Sequence, residues 1–178
     1  MSQHHPEGCI LGPYSILHLL ASGVNGDVYR ARHSELGDDA ALKVIPITGA
    51  ANWEPRFAGL MCQPSHPNLV SVRFAERIDD QFVMAMDFVN ARTLRDVLRE
   101  KGNLDLMEAL RICSSVASAL ACIHGVPSEG LPRLAHLCLR PSNVFLEWNG
   151  VVRISDFGIS QALGMEVPAA IGTESLPA

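Results

Sequence analysis

Arg140-Pro141-Ser142-Asn143-Val144-Phe145-Leu146, followed by Asp156-Phe157-Gly158 thirteen residues after Asn143, decides how this 178-residue chain is read. Between the two segments lies a hairpin. Val144–Leu146 and Val151–Ile154 are short apolar runs set around Asn149-Gly150, a dipeptide that supplies the positive φ demanded by a tight turn. Asn143 and Asp156 therefore bracket the hairpin, and both offer hard oxygen donors. A polar turn following a buried hairpin is the plainer structural reading of the same residues.

Upstream of this stretch the chain is helical. Asp105 to His124 carries Leu106, Leu110, Cys113, Ala117, Leu120 and Ile123 as one apolar stripe, Asp105 and Glu108 have capping-box spacing, and Gly125 is a natural stop. Thr93 reads as the N-cap of a shorter helix ending at Glu100. Pro127 to Pro132 is a loop, and Asp87 to Arg92 reads as a linker.

The front part of the chain is strand-rich. Tyr14–Leu20 and Asp27–Arg32 read as strands joined by a Gly-containing turn, and Ala40–Ile45 as a third strand, apolar on both faces and ended by Pro46. Asn52–Cys62 has helical spacing in Trp53, Phe57, Leu60 and Met61, with a late start imposed by Pro55. Two further strands are expected near Leu69–Arg77 and Gln81–Met86.

Four more segments carry chemistry at consistent distances. Ala21-Ser22-Gly23-Val24-Asn25-Gly26-Asp27-Val28 has two glycines that let the backbone approach a ligand closely. Ala40-Ala41-Leu42-Lys43 ends an apolar strand on an ammonium whose desolvation demands a partner. His66-Pro67-Asn68-Leu69-Val70 and His136-Leu137-Cys138-Leu139-Arg140 complete the set. Together with Asn143 and Asp156-Phe157-Gly158, these segments resemble the eukaryotic-type (Hanks-type) serine/threonine protein kinase family, over about residues 14 to 178.

The resemblance implies an α+β, protein-kinase-like bilobal fold, with a β-rich N-lobe and the first part of a helical C-lobe. Its expected divisions are an unstructured segment over 1–13, an N-lobe over 14–86, a hinge over 87–92 and an incomplete C-lobe over 93–178. It implies ATP and Mg²⁺ as cofactors. Ala21, Gly23 and Gly26 would then line the phosphates, and Val28 and Ala41 would enclose the adenine with Phe145 as a further contact. Lys43 would meet the α- and β-phosphates, Met86 would be the gatekeeper, and Asp87-Phe88-Val89 the hinge that bonds the base. Asn143 and Asp156 are the implied magnesium ligands.

The departures from the pattern matter as much. Cys138 stands where the family places its catalytic aspartate, and a thiol with an ordinary pKa near ~8.5 is a poor proton acceptor of the wrong size. Arg140 replaces the usual lysine, keeping a cation but in a planar fork. The helix glutamate that pairs with the strand lysine is expected near Phe57, and the only acid there is Glu54. Either a shifted helix brings Glu54 to Lys43, or that ion pair is absent, and absence is the favoured reading. Leu137 replaces the arginine that clasps a phosphorylated loop, and no serine, threonine or tyrosine lies between Ser160 and Thr173. Gly172–Ala178 resembles the start of the family's G-T-P-x-Y-x-A-P-E segment, so a truncated C-lobe and an exposed apolar patch on the Leu106–Ile123 stripe are expected.

Three functions fit these residues. The leading one is a nucleotide-binding pseudokinase acting on an unidentified protein partner. The alternatives are a weakly active kinase phosphorylating a protein substrate and a nucleotide-free interaction module. Composition narrows the partners: a net charge of −5 with no basic stripe argues against nucleic acid. No apolar run is expected to reach the ~20 residues that span a bilayer, and the polar start lacks the features of a leader. Five cysteines without CxxC spacing read as reduced thiols in a cytoplasm, and His4-His5 as a disordered terminal pair with, at most, weak metal affinity.

Overall fold

The computed structural model describes residues 4–23, 26–47 and 53–165. A six-stranded antiparallel sheet occupies the front of the chain, in the order β1-β2-β3-β4-β6-β5. These strands are β1 (Ile10–Leu11), β2 (Tyr14–Gly23), β3 (Gly26–His33), β4 (Asp39–Pro46), β5 (Val72–Ile78) and β6 (Gln81–Asp87), with helix α1 (Pro55–Met61) between β4 and β5. Then come β7 (Ala91–Thr93), α2 (Leu94–Lys101), α3 (Leu106–His124), β8 (Val144–Glu147), β9 (Val152–Ile154) and α4 (Ile159–Ala162). Strands β7, β8 and β9 form a second, small sheet.

The two faces of β4 explain why its sequence is apolar throughout. Leu42 and Val44 point with Tyr29, Ala31 and Ala85 into one buried cluster. Residues of the opposite parity, Ala41 and Lys43, lie beside Met86 and Met84 in register, and Met84 and Met86 belong to a second cluster reaching into the helical half. Lys43 is consequently 7% exposed, deep in the boundary between the two halves.

That boundary is sewn by the His66–Val70 segment. Leu69 bridges Ile154 in parallel, Ile154 N–H donates to Asn68 O at 2.9 Å, and Asn68 Nδ2 donates to Val152 O at 2.7 Å. The strand expected from Leu69 thus begins at Val72, because Leu69 and Val70 pair with β9 instead. The linker is also shorter than expected, since Ala91–Thr93 pairs with β8.

Helix α3 has the complete capping box at Asp105 and Glu108, and α2 has Thr93 accepting from Asp96 N–H at 3.2 Å. Gly125 caps α3 with φ of −81°, so its left-handed freedom is not used. The core-facing residues of α3 are Ile112, Ala119 and Ile123, whereas Leu106, Met107 and Leu110 are exposed. The apolar patch is therefore real, but the stripe named from the sequence belongs in its first half to the outer face. By length and composition alone this 19-residue helix is long and apolar enough to cross a membrane, which corrects the expectation that no run reaches that size. Its place here is set by packing on β9 through its buried side chains.

Residues 1–13, expected to lack structure, have a defined path from His4 onward. β1 pairs with β2, Gly8 N–H donates to Ile16 O, and His4 and His5 are hydrogen-bonded rather than free. The residues read as the end of the family pattern, Gly172–Ala178, and most of the loop after Ser160 lie outside the described residues, as do Val24 and Asn25.

Candidate functional site

Strand register assembles one wall of the site. Val28 lies opposite Lys43, Ala21 opposite Val28, and Ala41 opposite Met86, so these side chains share one face of the sheet. Gly26 closes the hairpin at φ of +93°, where a Cβ would fall 2.2 Å from Val44 O. Glycine is obligatory there for backbone reasons, whatever ligand the turn covers. Gly23 is its register partner across the hairpin. Ala41, Val89 and Phe145 are half-buried against the same cluster as Met86, which brings the small and apolar adenine-site candidates to one region.

The hinge candidates are held from behind. Asp87 N–H donates to Ser71 O at 3.0 Å, Arg73 Nε donates to Asp87 Oδ1 at 2.7 Å, and the Arg30 guanidinium lies 4.8 Å from the Phe88 ring centroid.

The charged end of the site is built around a buried ion pair. Lys43 Nζ and Asp156 Oδ2 are 2.5 Å apart, with side chains 8% and 16% exposed. Glu54 does not reach this lysine. It caps α1 by accepting from Arg56 N–H and also pairs with the Arg56 guanidinium. Phe57, near which the resemblance would put the family's glutamate, is buried in the core. The helix–strand ion pair is thus absent among the described residues, and Asp156 supplies the countercharge. The signal was present in the sequence: with no acid at Phe57, the acid of Asp-Phe-Gly is the next one that the motif set offers.

Asp156 itself sits at φ of +67°, a left-handed conformation that ordinary residues adopt only under constraint. Gly158 follows at φ of +74°, and a Cβ there would meet Met61 Cγ at 2.6 Å and Leu134 Cδ1 at 2.9 Å. Both backbone conformation and packing therefore require this glycine.

Across the site, Asn143 is 8% exposed and donates from Nδ2 to Cys138 O at 2.9 Å, while its Oδ1 accepts from Ser142 Oγ at 3.2 Å. Asn143 and Asp156 are hard oxygen donors, and no group of three or more His, Cys, Asp or Glu among the described residues forms a metal cage. This donor set suits Mg²⁺, which favours one or two protein oxygens together with phosphate oxygens and water. Cys138 is half-buried, and Arg140 Nη2 donates to its sulfur. Leu137, at φ of +56°, makes the turn that presents Cys138.

His136 was not singled out by sequence beyond its motif, yet it is 3% exposed and, among the described residues, neither ring nitrogen has a hydrogen-bond partner. Burial pushes its pKa below the usual imidazole value. Unfolding frees the ring to titrate near ~6.5. On acidification the unfolded chain therefore takes up the proton first, and the folded state loses stability from that pH downward until the buried ring also protonates. Urea midpoints should decline between pH 7.5 and 5.5, and His136→Leu should flatten the decline. An unaltered slope in the variant would assign the loss to other groups.

The chain matches the protein kinase domain family over residues 14–175. It is similar to "Probable serine/threonine-protein kinase CPE1738" of Clostridium perfringens, at 33% identity over 162 residues covering 88% of this chain and 23% of that protein. It is also similar to the serine/threonine-protein kinase PrkC of Bacillus subtilis, at 30% identity over 159 residues covering 86% and 24%. Among solved structures it resembles the Mycobacterium tuberculosis PknI kinase domain, with a TM-score of 0.77 and 26% identity over 88% of this chain and 64% of that one. The chain thus spans less than a quarter of the length of these curated relatives.

Proposed function

The chain belongs to the protein kinase domain family, and from that premise we propose that it is a nucleotide-binding pseudokinase, taking up Mg·ATP with little phosphotransfer. The observation that carries this reading is the charged end of the site: Lys43 and Asp156 in contact, Asn143 nearby, and a thiol where a proton-accepting carboxylate is required.

Each residue has a definite task. The Lys43 ammonium, already desolvated, gains charge-assisted hydrogen bonds from phosphate oxygens as a nucleotide enters. Asn143 Oδ1 and the Asp156 carboxylate would hold magnesium, which neutralises phosphate charge when bound. Val28, Ala41, Met86 and Phe145 provide apolar surface for a base, and the backbone of Asp87–Val89 provides its polar edge. The small Ala41 and Val28 leave room that larger residues would fill.

Proton removal is the missing function. Cys138 receives a hydrogen bond from Arg140, so the cation that would otherwise face the γ-phosphate is directed at sulfur. A positioned base of this kind is typically worth ~10²–10⁴-fold in rate. Binding a nucleotide needs no such base. The biological output of the domain is then carried by a protein partner that senses the bound nucleotide.

Thermal unfolding against ATP concentration, with Mg²⁺ and with EDTA, tests the proposal. Ligand at ~100 Kd should stabilise the folded chain by about 2.7 kcal/mol. A cooperative transition that ATP never moves would leave a partner-binding module without a nucleotide. Rapid γ-phosphate transfer by the wild-type chain would instead show that the thiol is no impediment.

A further inference from the structure

The face of β3 opposite Lys43 carries an arrangement that nucleotide binding does not use. Alternation along the strand puts Asp27 and Tyr29 on the other side of the sheet from Val28. The N-terminal segment lies over them. His5 N–H donates to Tyr29 Oη at 3.0 Å, and the two rings meet edge to face with centroids 6.1 Å apart. His4 Nδ1 lies 2.9 Å from Asp27 Oδ2, which also accepts from Tyr29 Oη at 3.1 Å.

Within this docked segment the His5 ring is held at both nitrogens. Nε2 is 2.9 Å from Gln81 Oε1, and Nδ1 is 3.7 Å from Cys9 Sγ. An amide oxygen can only accept, so Nε2 carries the ring proton and Nδ1 presents its lone pair to the thiol. Cys9, His5 and Gln81 therefore stand as thiol, base and orienting amide, the division of roles that activates cysteine nucleophiles. The thiol is also fixed in place: Cys9 O accepts from Ile16 N–H at 2.8 Å, and Cys9 N–H donates to Pro6 O at 3.2 Å.

The second of those bonds limits the chemistry. With its own amide engaged, Cys9 has no backbone donor to offer a developing oxyanion, the group on which acyl transfer depends. Chemistry at the sulfur itself needs only the thiol, the base and access, and Cys9 is half-buried rather than enclosed. None of the other four cysteines has a histidine hydrogen bond among the described residues. Cys62 and Cys122 donate to backbone carbonyls, Cys138 accepts from a guanidinium, and Cys113 is exposed with no hydrogen-bond partner among the described residues.

We propose that Cys9 is a reversible modification site for low-molecular-weight disulfides, with His5 as its base. The Cys9 thiol gives its proton to His5 Nδ1 as the sulfur attacks. The S–S bond of the reagent breaks, a mixed disulfide forms at Cys9, and the departing thiolate takes the proton from His5 and leaves as a thiol. One disulfide is consumed and one is formed, so Cys9 is oxidised at the expense of the reagent's own disulfide and no other oxidant is needed.

The test is site-resolved mass spectrometry of the whole chain exposed to glutathione disulfide. Cys9 should acquire the adduct faster than the more exposed Cys113 on the order of 10²-fold, the span typical of a positioned base. His5→Gln should bring Cys9 down towards the Cys113 rate while leaving Cys113 unchanged. Loosening of the N-terminal segment by the substitution would expose Cys9 and accelerate labelling, so a slower rate reports the lost base and not lost structure. Equal rates at Cys9 and Cys113 in the wild-type chain, or an unchanged or faster rate in His5→Gln, would overturn the proposal.

Discussion

Alanine in place of Asp156 should destabilise the folded chain by about 3–5 kcal/mol, the usual cost of stranding one member of a buried ion pair. The reason lies in the surroundings of Lys43. Its ammonium is enclosed by the strand face, and its hydrogen-bond partner is Asp156 at 2.5 Å, because Glu54 is committed to Arg56 and Phe57 is apolar. The variant would leave a desolvated cation without its countercharge. The decisive comparison is a double variant. Lys43→Met with Asp156→Ala removes both charges, so it should recover most of the loss, since an apolar replacement of a buried pair is often neutral. Urea unfolding of the three proteins measures this directly. A single-variant loss below ~1 kcal/mol, the range of exposed pairs, would show that solvent reaches this lysine far more than the structure shows. The same substitution should abolish any magnesium dependence of ATP stabilisation.

Aspartate in place of Cys138 should raise γ-phosphate turnover by ~10²–10⁴-fold over the wild-type chain, the value of a correctly placed base. The backbone needed to present it is in place, because Asn143 Nδ2 already holds the carbonyl of residue 138 and Leu137 already adopts its left-handed turn. Arg140 would face the new carboxylate as an ion pair, which restrains its orientation but leaves oxygen in the position that sulfur holds now. Turnover measured as release of radiolabelled phosphate, with and without Mg²⁺, is the readout. No gain in a variant that still binds ATP would place the defect elsewhere in the site, with the unpaired α1 helix the first candidate.

Much of this was legible because the informative residues act locally. Thr93 and Asp105 declare their helices by capping, Pro55 sets the start of α1, and Asn149-Gly150 sets the β8–β9 turn at Gly150, φ +86°. The apolar run of β4 announced a strand buried on both faces, and Lys43 within it announced a need for a partner. The ordered N-terminus was missed because its bonds join residues far apart in sequence, from His5 to Tyr29 and Gln81. The orientation of α3 was missed because a 3.6-residue period defines a stripe without saying which of two apolar stripes meets the core.

The sequence by itself determined the family and the order of the main strands and helices, without β1 and β7, since these are written in residue identity and spacing. Only the tertiary structure decided which acid answers Lys43, that His136 is buried without a side-chain hydrogen bond among the described residues, and that Cys9 faces an imidazole. The first is a distance between side chains 113 residues apart and the others depend on how the chain packs around one residue, and burial then sets the energy, because charge and polarity are costly only where water is excluded.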